Sequence, residues 1–156
     1  MRNRIVVLGA AGFVGYHLAE KLSRDPDNRL VLVDNFIRSQ HDVHFQELSS
    51  RSNCTFYDLD LTSRANLEEL INKEDIVYNL VALNGTRNFY EQPMTVMINT
   101  GLTAILIAEI CGLKKASKYF YFGSSESYAG SVDLGLATIP TPENVPLAVT
   151  DIRNVR

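Results

Sequence analysis

Tryptophan is missing from this 156-residue chain, cysteine occurs twice, and neither charge sign dominates, with 15 Lys and Arg against 18 Asp and Glu. Each scarcity excludes something. The two cysteines, Cys54 and Cys111, have no C-x-x-C spacing and no neighbouring ligand types, so reduced, structural thiols are expected rather than disulfides. His41 and His44 in "HDVH" have no third ligand beside them, and no metal site is expected. A formal net charge of −3 and a pI near 5.6 provide no basic footprint for nucleic acid or an anionic membrane surface. No unbroken apolar run approaches the roughly 18 residues of a membrane span. The opening "MRNRIVVLGAAG" reads as a strand entering a turn, not as a leader. A cytoplasmic protein without nucleic-acid or membrane partners is the expectation.

What the chain does have is alternation. Apolar strand runs at "RIVVL", "RLVLVD", "CTFYDLDL", "DIVYNLVAL" and "SKYFYFGSS" alternate with helical spacing in Phe13 to Leu22, "HDVHFQELSSR", "SRANLEELI" with Thr62 as N-cap, and "MTVMINTGLTAILIAEI", ended by Gly112. The strands are continuous apolar runs, as expected where helices cover both faces. The fold class is α/β, a doubly wound parallel sheet of about five strands. From Ala129 the pattern gives way to Gly, Pro and Thr. Two regions are therefore expected: residues 1–128 as the folded domain and residues 129–156 as a loop.

The first strand-to-helix junction is "VVLGAAGFVG", with Gly9, Gly12 and Gly15 at fixed offsets. One glycine turns the chain with positive φ, a second admits a pyrophosphate close to backbone, and a third packs helix on strand. The helix N-terminus behind them attracts anions without a basic side chain. A Walker loop is excluded, because Tyr16 and His17 follow Gly15. Asp34 ends the second strand about 20 residues beyond Gly15, where a carboxylate bonds the adenosine ribose of NAD and repels the 2′-phosphate of NADP. Arg38 is read as a solvated loop residue.

"VLGAAGFVG", "VLVDNF", "DLT", "YNLVAL", the asparagine of "MINTG" and "YFGSSESYAG" together resemble the extended short-chain dehydrogenase/reductase family, in its NAD-dependent epimerase/dehydratase branch acting on nucleotide sugars. The resemblance implies a Rossmann fold with NAD as cofactor. Gly9, Gly12, Phe13, Val14 and Gly15 would line the pyrophosphate; Asp34, Asn35 and Ser39 the ribose; Asp60 and Leu61 the adenine, with Asp58 competing for the acidic role. Leu80, Ala82 and Asn84 would flank the cofactor, although Asn79 and Val81 depart from the family's "HLAA". Asn99 matches the family's helix asparagine.

By the same resemblance Ser124 is the catalytic serine, bonding the sugar's reacting oxygen while a tyrosine activated by a lysine moves the proton. Ser125 and Glu126 would face substrate, and Arg87 would pair with its pyrophosphate. Because Ser125 stands where the family's 4,6-dehydratases carry Asp, a 4-epimerase, decarboxylase or reductase is favoured. No tyrosine of the chain is followed four residues later by lysine. The chain is accordingly expected to be the N-terminal part of a longer enzyme, with 129–156 leading toward an absent catalytic helix and no turnover by itself. A non-enzymatic NAD sensor and a pure interaction scaffold are the alternatives. The helix from Met94 to Ile110 is apolar nearly all round and is expected to leave a bare strip through which the chain forms a homo-oligomer.

Overall fold

The computed structural model describes residues 3–150, which divide into two compact units, one up to Tyr121 and one from Phe122 on. In the first unit β1 (Asn3–Leu8), β2 (Asn28–Asp34), β3 (Cys54–Asp58), β4 (Ile76–Asn79) and β5 (Lys118–Tyr121) form one sheet of order β3-β2-β1-β4-β5. All four pairings are parallel. Alternate residues of each strand point to opposite faces, and β1 shows the result. Ile5 and Val7 join Leu30, Leu32, Phe45 and Leu48 in one core, and Val6 and Leu8 join Val31, Val33, Leu67, Val77, Ile107 and Ile110 in the other. The doubly wound expectation is met.

Helices α1 (Phe13–Ser23) and α2 (Val43–Ser49) supply the first core, and α3 (Arg64–Leu70) and the long helix α5 (Pro93–Lys114) supply the second. A short helix, α4 (Thr86–Glu91), lies between β4 and α5. Cys111 is buried and Cys54 half-buried, both as free thiols. Burial pushes the Cys111 thiol up to about 11 and raises that of Cys54 as well.

Local chemistry moves several expected boundaries. Ser63, not Thr62, caps α3, its hydroxyl accepting from the Asn66 amide at 3.4 Å. The amide and hydroxyl of Thr62 are already donated to Asp60 at 2.9 and 2.8 Å. Helix α5 runs past Gly112 to Lys114. Its stop is a Schellman turn with Lys115 at φ 58°, where the Ala116 amide returns to the Cys111 carbonyl and the Lys115 amide to the Gly112 carbonyl. At 22 residues and mean hydropathy 1.8, α5 is also long and apolar enough to cross a membrane by length and composition. Counting only unbroken apolar runs hid this, because Asn99, Thr100, Gly101 and Thr103 interrupt the run without ending the helix. Ile107 and Ile110 sit fully in the sheet core. Of the apolar residues expected on more than one face, Val96 is also buried and Leu106 partly so, whereas Met97, Ile98, Leu102 and Ile105 are exposed.

Within α5, Met97–Leu102 is wound as a π-helix. The Thr103 hydroxyl donates to the Ile98 carbonyl at 2.8 Å, and the Asn99 side chain donates to the Thr95 carbonyl at 2.9 Å.

The second unit begins at Phe122, earlier than the expected division after Tyr128. It contains a 3-10 turn, Ser125–Tyr128, and a short helix, α6 (Ala129–Asp133), where only loop was expected. Its order comes from specific polar contacts, which leave no apolar period to read. The Ser131 hydroxyl donates to the Pro146 carbonyl and accepts from the Ala148 amide, and the Leu136 and Ala137 amides donate to the Ser131 carbonyl. A Cβ on Gly130 would lie 1.9 Å from the Ala148 carbonyl oxygen. The part of the expected loop from residue 151 onward lies outside the described residues.

Candidate functional site

At the C-terminal ends of β1, β2 and β4 the first unit opens a cavity of about 470 Å³. Crevices beyond the carboxyl ends of parallel strands are where such sheets bind ligands. One wall is built from backbone. Gly9 turns out of β1 with φ +83°, and a Cβ there would press on the Leu80 carbonyl at 3.1 Å. A Cβ on Gly15 would stand 2.1 Å from the Gly9 carbonyl oxygen, so α1 lies against the turn with no room for a side chain. Gly12 is different: its Cβ would meet only the Gly9 carbonyl oxygen, at 3.4 Å. Gly12 is also the N-cap of α1 and offers no side-chain acceptor, while Phe13 and Val14 are exposed at the cavity. The first amides of α1 are therefore free to face an anion.

Asp34 closes this wall. One carboxylate oxygen accepts from the Ala11 amide at 2.9 Å, and the other accepts from the Phe36 amide and the Ser39 hydroxyl, both at 2.9 Å. The carboxylate thus fastens the glycine turn to the end of β2, and its remaining lone pairs stay available to a ligand hydroxyl. Asn35 and Ser39 border the cavity beside it. So does Arg38, which sequence reasoning put in solvent. Asp60 and Leu61 come from the loop after β3, Asp60 bearing the Thr62 contacts described above. Asp58 does not reach the lining.

The opposite wall comes from β4 and α5. Leu80, Ala82 and Asn84 line it from the segment after β4, and Asn99 lines it from the π-helical turn. Side chains hold this wall. Asn79, buried at the end of β4, accepts from the Val81 amide at 3.1 Å and donates to the Tyr119 hydroxyl at 2.9 Å. The Tyr119 hydroxyl donates in turn to the Ala104 carbonyl of α5 at 3.3 Å, and burial pushes its phenol up. Thr100 accepts from the Leu83 amide at 3.1 Å. Every cofactor residue named from the sequence, from Gly9 to Asn99, borders this one cavity. Sequence reasoning missed Ala11, Ile37, Leu59, Thr62, Val81, Leu83 and Thr103. Thr103 was findable, since it lies four residues beyond Asn99 on the same helix face.

Arg87 is not brought to the cavity. It is exposed on α4 and paired with Glu91 one turn on, at 2.7 Å. Ser124 belongs to the second unit, where it caps the 3-10 turn and its hydroxyl oxygen accepts from the Glu126 amide at 3.3 Å. That acceptor role leaves its proton free to donate. Ser125 and Glu126 form the first residues of the turn and are exposed. His41 packs edge-on against Phe36 and Phe45. Among the described residues no group of three His, Cys, Asp or Glu gathers to hold a metal.

Residues 5–150 match the model of the NAD dependent epimerase/dehydratase family. Over 128 residues the chain is 30% identical to a UDP-N-acetyl-alpha-D-glucosaminuronate decarboxylase of Bacillus cytotoxicus, covering 82% of this chain and 38% of that protein. It is 24% identical over 135 residues to a UDP-D-apiose/UDP-D-xylose synthase of Oryza sativa subsp. japonica, covering 86% of this chain and 34% of that one. The chain therefore spans little more than a third of these relatives. Among solved structures it is similar to a UDP-glucuronic acid 4-epimerase mutant from Bacillus cereus in complex with UDP-4-deoxy-4-fluoro-glucuronic acid and NAD. The TM-score is 0.77 at 25% identity, over 93% of this chain and 46% of that one. With a sheet of this order, a glycine turn of this geometry and a family match over nearly its whole length, the chain belongs to the NAD dependent epimerase/dehydratase family.

Proposed function

We propose that this chain is the NAD-holding part of a cytoplasmic enzyme that acts on a nucleotide sugar by hydride transfer at a sugar carbon. The observation that carries this is the gathering of the glycine turn, Asp34, Asp60 and Asn99 around one cavity at the strand ends. The residues fit the dinucleotide. Gly12 and the uncapped start of α1 suit a pyrophosphate, Asp34 suits a ribose diol, and Asp60 with Leu61 offers a polar and an apolar edge to a base. The bound dinucleotide supplies the hydride acceptor. Ser124 holds the sugar's reacting oxygen by donating its free proton, and Ser125 and Glu126 bond neighbouring hydroxyls. With Ser125 where a 4,6-dehydratase would carry Asp, epimerisation, decarboxylation or reduction is preferred over elimination of water. Arg87 keeps its proposed place on the substrate pyrophosphate only if it exchanges Glu91 for the phosphate. The chain contains no Tyr-x-x-x-Lys, so the 156 residues alone are inactive.

Titration of the purified chain with NAD and NADP tests the cofactor half: binding of NAD with weaker binding of NADP is expected, and equal or tighter NADP binding overturns it. Turnover of UDP-sugars by this chain would overturn the inactivity. The exposed face of α5, with Met97, Leu102 and Ile105, is proposed to pack against a second copy. Light scattering should show a dimer or larger species that L102E together with I105E returns to monomer. The missing Tyr-x-x-x-Lys also favours a second reading, a non-enzymatic NAD sensor, for which NAD binding without any sugar-nucleotide affinity is the sign.

A further inference from the structure

Asn79 is fully buried at the last position of β4, yet it does not line the cavity. A buried side-chain amide must find partners for its carbonyl and its NH2. Both are present, and their directions are fixed by chemistry. The Val81 amide N–H can only donate, at 3.1 Å, so the Asn79 oxygen faces it and the Asn79 nitrogen faces the Tyr119 hydroxyl at 2.9 Å. That hydroxyl, accepting a hydrogen bond from Asn79, points its own proton at the Ala104 carbonyl, 3.3 Å away. The relay thus joins three elements: the turn after β4, strand β5 and helix α5. It leaves β4 at the start of Leu80–Asn84, the segment that forms one cavity wall. It enters α5 next to Thr103 and just past the π-helical turn that carries Asn99 to the cavity. Ala104 lies two residues past the π-wound segment Met97–Leu102, so the bond to its carbonyl ties α5 to β5 just beyond that turn.

We propose that Asn79 is a positioning residue for the cofactor cavity: through Tyr119 it holds the Leu80–Asn84 wall and the π-helical turn of α5 at the spacing the dinucleotide needs. The assignment rests on the NAD reading of the cavity. It concerns a position where the chain departs from the histidine of the family pattern. A histidine can meet the same two demands, since one ring nitrogen accepts and the other donates, whereas a leucine of similar size meets neither.

The test is NAD affinity of the 156-residue chain by calorimetry, beside its thermal unfolding and amide exchange of the 80–84 and 97–104 segments by mass spectrometry. N79L should weaken NAD about tenfold and speed exchange in both segments together, while N79H restores affinity to within about twofold. Y119F, which leaves Asn79 in place, should weaken NAD about threefold, and the N79L/Y119F pair should bind no worse than N79L alone, because both variants cut one relay. N79L that folds and binds NAD as tightly as the parent overturns the proposal, even if its Tm falls, for that is the signature of a purely structural residue. If N79L does not fold, Y119F decides: unchanged affinity with unchanged exchange at 97–104 overturns it. A parent chain with no NAD affinity fails differently, overturning the cofactor reading and this assignment with it, whereas the outcomes above strike the assignment alone.

Discussion

The two walls of the cavity are held by different means. On the β1–α1 side the backbone does the work: Gly9 adopts a left-handed turn, Gly15 lets α1 touch the Gly9 carbonyl, and an uncapped helix start presents its amides. On the β4–α5 side no residue from Leu80 to Asn84 takes a positive φ. Side-chain acceptors hold this segment instead, with Asn79 on the Val81 amide and Thr100 on the Leu83 amide. A wall made of backbone sterics tolerates almost no change at its contact points. One made of single hydrogen bonds loses about 1 kcal/mol for each bond removed. The walls should therefore fail by different amounts and in different ways.

The sharpest break is G15A. Its methyl would need to occupy space 2.1 Å from the Gly9 oxygen and 3.0 Å from the Ala10 Cα, all backbone that cannot rotate away. Loss of about 3 kcal/mol or more of stability is expected, with NAD binding abolished, by chemical denaturation and calorimetry. G12A isolates the other glycine function. Gly12 has φ −70°, which alanine adopts, and its Cβ would meet only one atom at ordinary distance, 3.4 Å. Stability should stay within about 0.5 kcal/mol while NAD affinity falls, since the methyl would project where the pyrophosphate is proposed to sit. If G12A unfolds the chain, the two glycines are not distinct in the way the geometry says.

D34A comes next. It removes the acceptor for the Ala11 and Phe36 amides and the Ser39 hydroxyl as well as the proposed ribose contact. A loss of about 2 kcal/mol in NAD binding, roughly thirtyfold, is expected, with NADP losing much less because a repelling charge also disappears. Arg38 at the cavity edge gives a 2′-phosphate a cation to meet once Asp34 is gone. Comparing both cofactors against D34A and D34A/R38A by calorimetry separates these two effects.

The same contrast explains what could be read from the sequence. The β1–α1–β2 wall is local: its glycines lie at fixed offsets, its acid ends the next strand, and each constraint falls on a residue type with few substitutes. A parallel sheet covered on both faces follows from the continuous apolar strand runs in the same way, whereas the strand order does not. The β4–α5 wall is assembled from partners far apart in the chain, such as Asn79 with Tyr119 and Leu83 with Thr100, and no spacing rule links them. The π winding of α5 was hidden for a related reason: helical period describes which face is apolar and not how many residues one turn contains. The short helix at Ala129–Asp133 was invisible because its contacts are polar and specific, centred on Ser131.

T100V is the mildest break and the most informative about the second wall. Valine has nearly the shape of threonine, so the packing of α5 is kept while the acceptor for the Leu83 amide, 3.1 Å away, is lost. Thr100 does not line the cavity, and the variant therefore removes no ligand contact. Any change in NAD affinity must pass through the position of Leu83 and its neighbours Ala82 and Asn84, which do line it. One neutral hydrogen bond is worth about 1 kcal/mol, so a loss of roughly fivefold in affinity is expected, with faster exchange of the Leu83 amide and a Tm within a few degrees of the parent. T103V removes the hydroxyl that closes on the Ile98 carbonyl in the π-helical turn, and it touches the cavity directly. If side chains hold the second wall, T100V should weaken NAD although it sits outside the cavity. If only T103V does so, the wall is set by contact at the cavity surface and the Thr100 bond is incidental.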